Sequence, residues 1–277
     1  MLKVRPKFDK FIVMKKTSHF NLRSHLVLFI AFILLSSFVI YEHTKPVLYI
    51  IGDSTVKNGD GTGKDTLWGW GSLIQPYFDT TKIDIQNHAI GGRSTKTFIT
   101  DKRWEKIVEN LKKGDYVLIQ FGHNDASPLD DTARARGTMK GISDDSVEIY
   151  NPIKKIKEVV HTYGWYLRKF VNETKERGGI PIICSLVPRN NWENGKVNRS
   201  NDYKVWAMQI ADETGAFYID LNSNIADRYD ALGEKAVNKF FPKDHTHTNK
   251  EGAFLNTEVV IEAIRNNKFK GLRKYLK

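Results

Sequence analysis

The sequence predicts an α/β chain: a three-layer α/β/α sandwich around a central, mainly parallel five-stranded sheet. Two observations lead there. Short apolar runs rich in β-branched residues alternate with longer amphipathic stretches from about residue 46 onward. Several of those runs are apolar at nearly every position, the composition of a strand covered on both faces. Strand–helix alternation of this kind gives a layered fold with right-handed crossovers.

Strands are expected at Val47–Ile51, Ile83–Gln86, Tyr116–Phe121, Ile180–Leu186 and Ala216–Leu221. Helices are expected at Leu67–Phe78, Lys102–Lys112, Tyr163–Arg177, Asn201–Thr214 and Lys250–Asn267. Gly114, Gly178, Gly179 and Gly215 stand where those helices end, positions a left-handed cap reserves for glycine. The stretch from Ala126 to Tyr163 is less regular and is expected to carry loops over the sheet edge. No internal repeat or low-complexity linker interrupts the pattern.

The amino terminus has a different composition. Leu26–Tyr41 is an uncharged apolar run preceded by seven Lys/Arg and opposed only by Asp9. A basic leader before an apolar run is the pattern of a signal peptide or signal anchor, and the positive-inside bias places everything after Tyr41 outside the cytoplasm. Sixteen residues fall short of the roughly 20 a spanning helix uses. Ser36 and Ser37 offer a cleavage site, and Met14 starts a more compact leader. The division is therefore residues 1–45 as an export segment and 46–277 as one folded domain, the only membrane contact being through an uncleaved segment. A buried core helix is the other reading of the run. The chain is expected to be secreted, periplasmic or membrane-anchored.

Net charge is +11, of which residues 1–45 carry +6 and the remainder +5. Basic and acidic residues interleave in the folded part, and no Lys/Arg block interleaved with aromatics marks a nucleic-acid groove. Cys184 is the single cysteine, which excludes an internal disulfide and any cysteine metal site. Gly59–Asp65 imitates a phosphate loop but lacks its spacing and its Ser/Thr.

Ligands of parallel sheets bind at the carboxyl ends of the strands, and the chemistry-bearing motifs fall there. The first strand runs into Gly52-Asp53-Ser54-Thr55. The second ends in Asn87-His88-Ala89-Ile90-Gly91-Gly92-Arg93-Ser94, the third in Gly122-His123-Asn124-Asp125. Asp244-His245-Thr246-His247 precedes the last helix. A serine hydroxyl needs a base to become a nucleophile. His247 suits that role, with an unperturbed pKa near neutrality, and Asp244 can accept its other ring N–H. The backbone N–H groups of Ser54 and Gly92 and the amide of Asn124 would receive a tetrahedral oxyanion. Each residue has a plainer reading: Ser54 as a helix cap, Gly91-Gly92 and Asn124-Asp125 as turns. Asp244, His245 and His247 could instead hold a metal, but no third clustered His or Cys accompanies them. Neither metal nor cofactor is expected.

These four blocks, in this order, resemble the SGNH/GDSL hydrolases, a flavodoxin-like serine esterase superfamily. GDSTVKN, LWGWG, NHAIGGRSTKTF, FGHNDA and DHTHTNKEGA more narrowly resemble the rhamnogalacturonan acetylesterase family of carbohydrate esterases. The resemblance implies removal of O-acetyl groups from pectic rhamnogalacturonan or a related polysaccharide. Other SGNH esterases act on xylan, other glycans, peptidoglycan or lipid esters, and a non-catalytic glycan-binding module is a further alternative. For a sugar polymer, Trp68, Trp70, Trp165 and Trp192 are candidate ring-stacking residues, with Trp104 and Trp206 assigned to the core. Arg93, Arg189 and Lys196 are candidate partners for acidic sugars.

Overall fold

The computed structural model describes residues 45–267, 269 and 271–277; the apolar run Leu26–Tyr41 and the expected export segment lie outside the described residues. Five strands form one sheet: β1 (Val47–Gly52), β2 (Asp84–Asn87), β3 (Tyr116–Gln120), β6 (Ile180–Cys184) and β9 (Phe217–Ile219). Their order is β2-β1-β3-β6-β9, every pairing parallel. The predicted sandwich is what forms.

Period-two alternation divides the core. Leu48, Ile50, Leu118, Ile182 and Ile219 point to one face, where they pack with α5 (Leu221–Leu232) and α7 (Lys250–Asn266). Tyr49, Ile51, Val117, Ile119 and Ile183 point to the other. There they meet α1 (Thr95–Thr100), α2 (Arg103–Asn110), α3 (Tyr163–Glu176) and α4 (Asp202–Thr214). A strand buried on both faces has no polar side, which is why these runs read as continuous hydrophobics. The buried thiol of Cys184 fills the first core, as its apolar setting implied.

Three expectations are corrected. Leu67–Phe78 is not a helix but two short 3₁₀ turns, Trp70–Ser72 and Gln75–Tyr77. Gly69 explains why: a Cβ there would stand 2.2 Å from the carbonyl carbon of Val56. The segment is pressed against the turn after β1, the N–H groups of Trp70 and Gly71 bonding the Thr55 and Val56 carbonyls (3.1 and 2.9 Å). The segment Ala126–Tyr163 is more than loop: β4 (Ser146–Asn151) and β5 (Ile156–His161) form an antiparallel hairpin. Its foot is tied down by Glu158, which accepts from Asn151 Nδ2 (2.6 Å) and faces the fully buried Lys96 Nζ (3.4 Å). Finally, the last strand stops at Ile219, and Asp220 caps a helix not expected from the sequence, α5, by accepting from the Ser223 N–H (3.1 Å). A second small hairpin, β7 (Trp192–Glu193) with β8 (Lys196–Val197), and the short α6 (Glu234–Val237) complete the order.

In this strand order the chain leaves β1 toward β2 over one face of the sheet and returns from β2 to β3 over the other. The carboxyl ends of β1 and β3 therefore border a crevice, the topological switch point of a doubly wound sheet. Among the described residues no helix is long and apolar enough to cross a membrane.

Candidate active site

The turn after β1 carries Ser54. Backbone N–H groups of Val56 and Lys57 close it on the Asp53 carbonyl (3.2 and 3.1 Å). No helix begins there, so Ser54 caps none. Asp53, fully buried, accepts at Oδ1 from the Thr55 N–H (2.9 Å) and the Thr55 hydroxyl (2.7 Å). Gln120 at the end of β3 donates to Thr55 Oγ1 (2.8 Å) and accepts from the Trp70 indole (2.7 Å). A chain of buried hydrogen bonds thus runs from the core to the carboxylate beside Ser54, and each link leaves a polar atom unsatisfied if broken. Gln120 could have been noticed in the sequence as the one polar residue in YVLIQF.

Ser54 Oγ lies 2.8 Å from His247 Nε2, across 193 residues of chain. His247 Nδ1 lies 2.7 Å from Asp244 Oδ2, and Asp244 Oδ1 accepts the backbone N–H groups of Thr246 (2.7 Å) and His247 (2.8 Å). Partial burial raises the Asp244 pKa, but the bonds from the His247 ring and these two amides outweigh it and hold the carboxyl at about 2. Asp244 is therefore an anion across the neutral range, able to fix the tautomer that leaves Nε2 free to take a proton. The 244–248 loop is held in turn by Trp68, whose N–H bonds the Thr248 carbonyl (2.8 Å) and whose own carbonyl accepts from Thr248 Oγ1 (3.2 Å).

The loop after β2 brings Gly91 and Gly92 to the same place. A Cβ on Gly91 would stand 3.6 Å from the Ser54 Cβ, and Gly92 has φ +76°, the left-handed region open to glycine. After β3, Asn124 donates from Nδ2 to the Arg93 carbonyl (2.8 Å), bridging the second and third blocks. Asn124 retains a second amide hydrogen. Beneath it, Asp125 accepts the N–H (3.0 Å) and hydroxyl (2.5 Å) of Thr95 through Oδ1. Burial pushes this carboxyl up to about 7. Burial likewise pushes neighbouring His123 down to about 4, which leaves it neutral at ordinary pH. Neither residue was assigned a role from sequence alone.

All four sequence blocks meet at the switch point. The proposed sugar contacts do not fare alike. Trp70 is fully buried with its indole bonded to Gln120, so it belongs to the core and is corrected as a substrate contact. Trp68 is half-buried, with Lys250 Nζ 5.3 Å from its ring centre. Trp192 is half-buried beside the first core and donates to Asn190 Oδ1 (2.8 Å). Trp165 stacks on His161 at 3.8 Å between ring centres, and Arg93 Nε lies 2.9 Å from Asp101. Arg189 Nη1 lies 2.8 Å from His245 Nε2. Among the described residues no group of three His, Cys, Asp or Glu is placed to hold a metal ion.

A serine–imidazole–carboxylate line, with a glycine turn and an amide around the serine, at the switch point of a five-stranded parallel sheet is an arrangement capable of acyl transfer. Residues 50–253 match the GDSL-like Lipase/Acylhydrolase family; the chain belongs to it and is a carboxylic ester hydrolase. It is 34% identical over 219 residues to the rhamnogalacturonan acetylesterase of Emericella nidulans, covering 78% of this chain and 84% of that one. The rhamnogalacturonan acetylesterase RhgT of Bacillus subtilis is 28% identical, with 79% and 90% covered. Among solved structures, Bacillus subtilis YxiM superposes with a TM-score of 0.65 at 22% identity; the match covers 83% of this chain and 58% of that one. A variant of Axe2, an acetyl xylan esterase from Geobacillus stearothermophilus, gives 0.52 at 18% identity over 78% and 93%. At those identities the two structures establish the common fold.

Proposed function

We propose that this chain removes O-acetyl groups from an extracellular polysaccharide, pectic rhamnogalacturonan, by a Ser54–His247–Asp244 mechanism. The observation that carries the mechanism is the unbroken line from Ser54 Oγ through the imidazole to Asp244, at 2.8 and 2.7 Å. The acetylated rhamnogalacturonan target rests on the two relatives of that name.

Ser54 Oγ attacks the acetyl carbonyl carbon as His247 Nε2 takes its proton. The carbonyl oxygen gains the charge and is met by the N–H groups of Ser54 and Gly92 and the Asn124 amide. Collapse breaks the bond to the sugar oxygen, which leaves with the proton from Nε2. Water then repeats the sequence on the acetyl-serine, releasing acetate and restoring Ser54. Asp244 stays ionised and stabilises the imidazolium.

The decisive experiment is acetate release from acetylated rhamnogalacturonan, xylan and p-nitrophenyl esters of rising chain length, for the wild type and Ser54→Ala. Preference for the pectic polymer and loss of turnover in the variant are expected. Turnover by Ser54→Ala would overturn the mechanism, and preference for long acyl chains or for xylan would overturn the substrate. The same proposal includes export: the basic leader and apolar run of residues 1–45 support it, and cell fractionation with amino-terminal sequencing of the mature protein tests it.

A further inference from the structure

The loop from Ala126 to Thr138 leaves the Asn124-Asp125 turn and comes back to it. Its ends are closed by the Ser127 N–H on the Asn124 carbonyl (3.2 Å) and the Thr138 N–H on the Asp125 carbonyl (3.1 Å). Gly137 is pressed so closely on this return that a Cβ would stand 2.0 Å from the Ser127 carbonyl oxygen. On its return, buried Ala135 takes φ +46°, a left-handed conformation costly for a residue with a Cβ. Such strain persists only where the surroundings impose it. It is fixed here by the bond from the Ala135 N–H to the Asp131 carbonyl (2.7 Å) and by Arg136 Nε on Ser127 Oγ (2.9 Å).

The loop delivers two guanidinium groups to one spot. A Cβ built on Gly92 would have Arg134 Nη1 at 3.5 Å and Arg136 Nη1 at 3.8 Å. Like charges gathered this closely repel, and burial together with Arg134 works against the charge on Arg136. Neither arginine has a carboxylate within ion-pair distance among the described residues. Arg134 lines a cavity of about 260 Å³ together with Gly92, Arg93, Asn151 and Lys154; Arg136 is not part of that lining and approaches Gly92 alongside it. The only acid on that lining, Asp101, is already shared by Arg93 Nε (2.9 Å) and Lys154 Nζ (3.5 Å). Asp131, Asp53 and Asp125 favour the charge on Arg136 without pairing with it, so the wall next to Gly92 presents two guanidinium groups free of an ion pair among the described residues, planar forks that match a carboxylate.

We infer that Arg134 and Arg136 form a subsite for the carboxylate of a uronic acid, on the acetylated sugar or its neighbour, beside the Gly92 turn. The inference rests on the esterase reading of Ser54 and deepens it: the strained loop selects acidic over neutral acetylated polymers.

The test compares one chemically acetylated polygalacturonate in two forms, with free carboxylates and with the same carboxylates methyl-esterified. The wild type is expected to release acetate from the free-acid form with a kcat/KM about tenfold or more higher. In Arg134→Gln that ratio falls toward one, mainly through KM on the acidic form, and Arg134→Lys, which keeps the charge but loses the fork, lies between. Equal kcat/KM on both polymers for the wild type, or an equal loss on both in Arg134→Gln, would overturn the subsite. Ser54-dependent hydrolysis of p-nitrophenyl acetate separates the two failures. If it is absent the esterase reading itself has failed; if it is present while the ratio stays at one, only the subsite has.

Discussion

Asp125→Asn isolates a single buried proton. In the folded chain burial raises the Asp125 carboxyl from 3.8 to about 7. Oδ1 holds both bonds from Thr95, while Oδ2 has no hydrogen-bond partner. An asparagine oriented with its oxygen toward Thr95 keeps those bonds and cannot titrate. The folded chain retains the proton to higher pH than the unfolded chain does. Its contribution to stability is thus complete below about pH 4 and is lost as pH rises through about 7. A shift of roughly 3 units at 1.36 kcal/mol each amounts to about 4 kcal/mol. His123, pushed down to about 4 by burial, acts oppositely in the same window. It binds its proton more readily when unfolded, so its contribution is lost as pH falls from about 6.5 to about 4. In the wild type the two slopes largely cancel. Urea denaturation of wild type and Asp125→Asn, at half-unit steps from pH 4 to 8, removes the His123 slope by difference. The variant should gain on the wild type by on the order of 4 kcal/mol across that range. A stability difference that is flat with pH would refute the reasoning, because the carboxyl would then titrate alike folded and unfolded.

Two further outcomes are expected. Asn124→Ala should lower kcat on p-nitrophenyl acetate by about 10²–10³-fold with little change in KM, since an oxyanion donor acts in the transition state; a loss under about fivefold would remove Asn124 from that role. Gln120→Leu strands the Trp70 indole N–H in the core and frees Thr55 Oγ1, so thermal or urea unfolding should show a loss of about 1–3 kcal/mol.

The strands and the site blocks were legible for the same reason. A parallel strand buried on both faces must be apolar throughout, and the residues just beyond its carboxyl end must be polar or glycine to work at the sheet edge. Val47–Gly52 running into Asp53-Ser54 shows that transition over a short stretch of chain. The features that stayed hidden depended on partners distant in sequence. Leu67–Phe78 has helical spacing of apolar residues, yet the closeness of Gly69 to Val56 prevents the helix. Trp70 looks like any aromatic until Gln120 is found at its nitrogen. The β4–β5 hairpin alternates, but Tyr150 and Val159 on one face and Ile156 on the other are all apolar and exposed, which blurs the two-sided pattern. The Arg134–Arg136 pair sits in a stretch without periodicity, and only the turn at Ala135 brings both side chains to Gly92.

The proposed nucleophile and its base come from opposite ends of the folded chain: Ser54 lies just past the first strand, while His247 precedes the last helix. Around them Trp68 pairs with Thr248, and the Trp70 carbonyl accepts from Thr257 Oγ1 (2.8 Å). As the chain is made, Ser54 precedes His247 by 193 residues, so in the proposed mechanism it has no base until the carboxyl-terminal segment follows. In that mechanism hydrolytic competence requires residues 244–266 to be docked. In the proposed mechanism esterase activity reports a finished fold, and damage to the carboxyl-terminal helix should silence Ser54 while also uncovering Leu48 and Ile50 of the strand that leads to it.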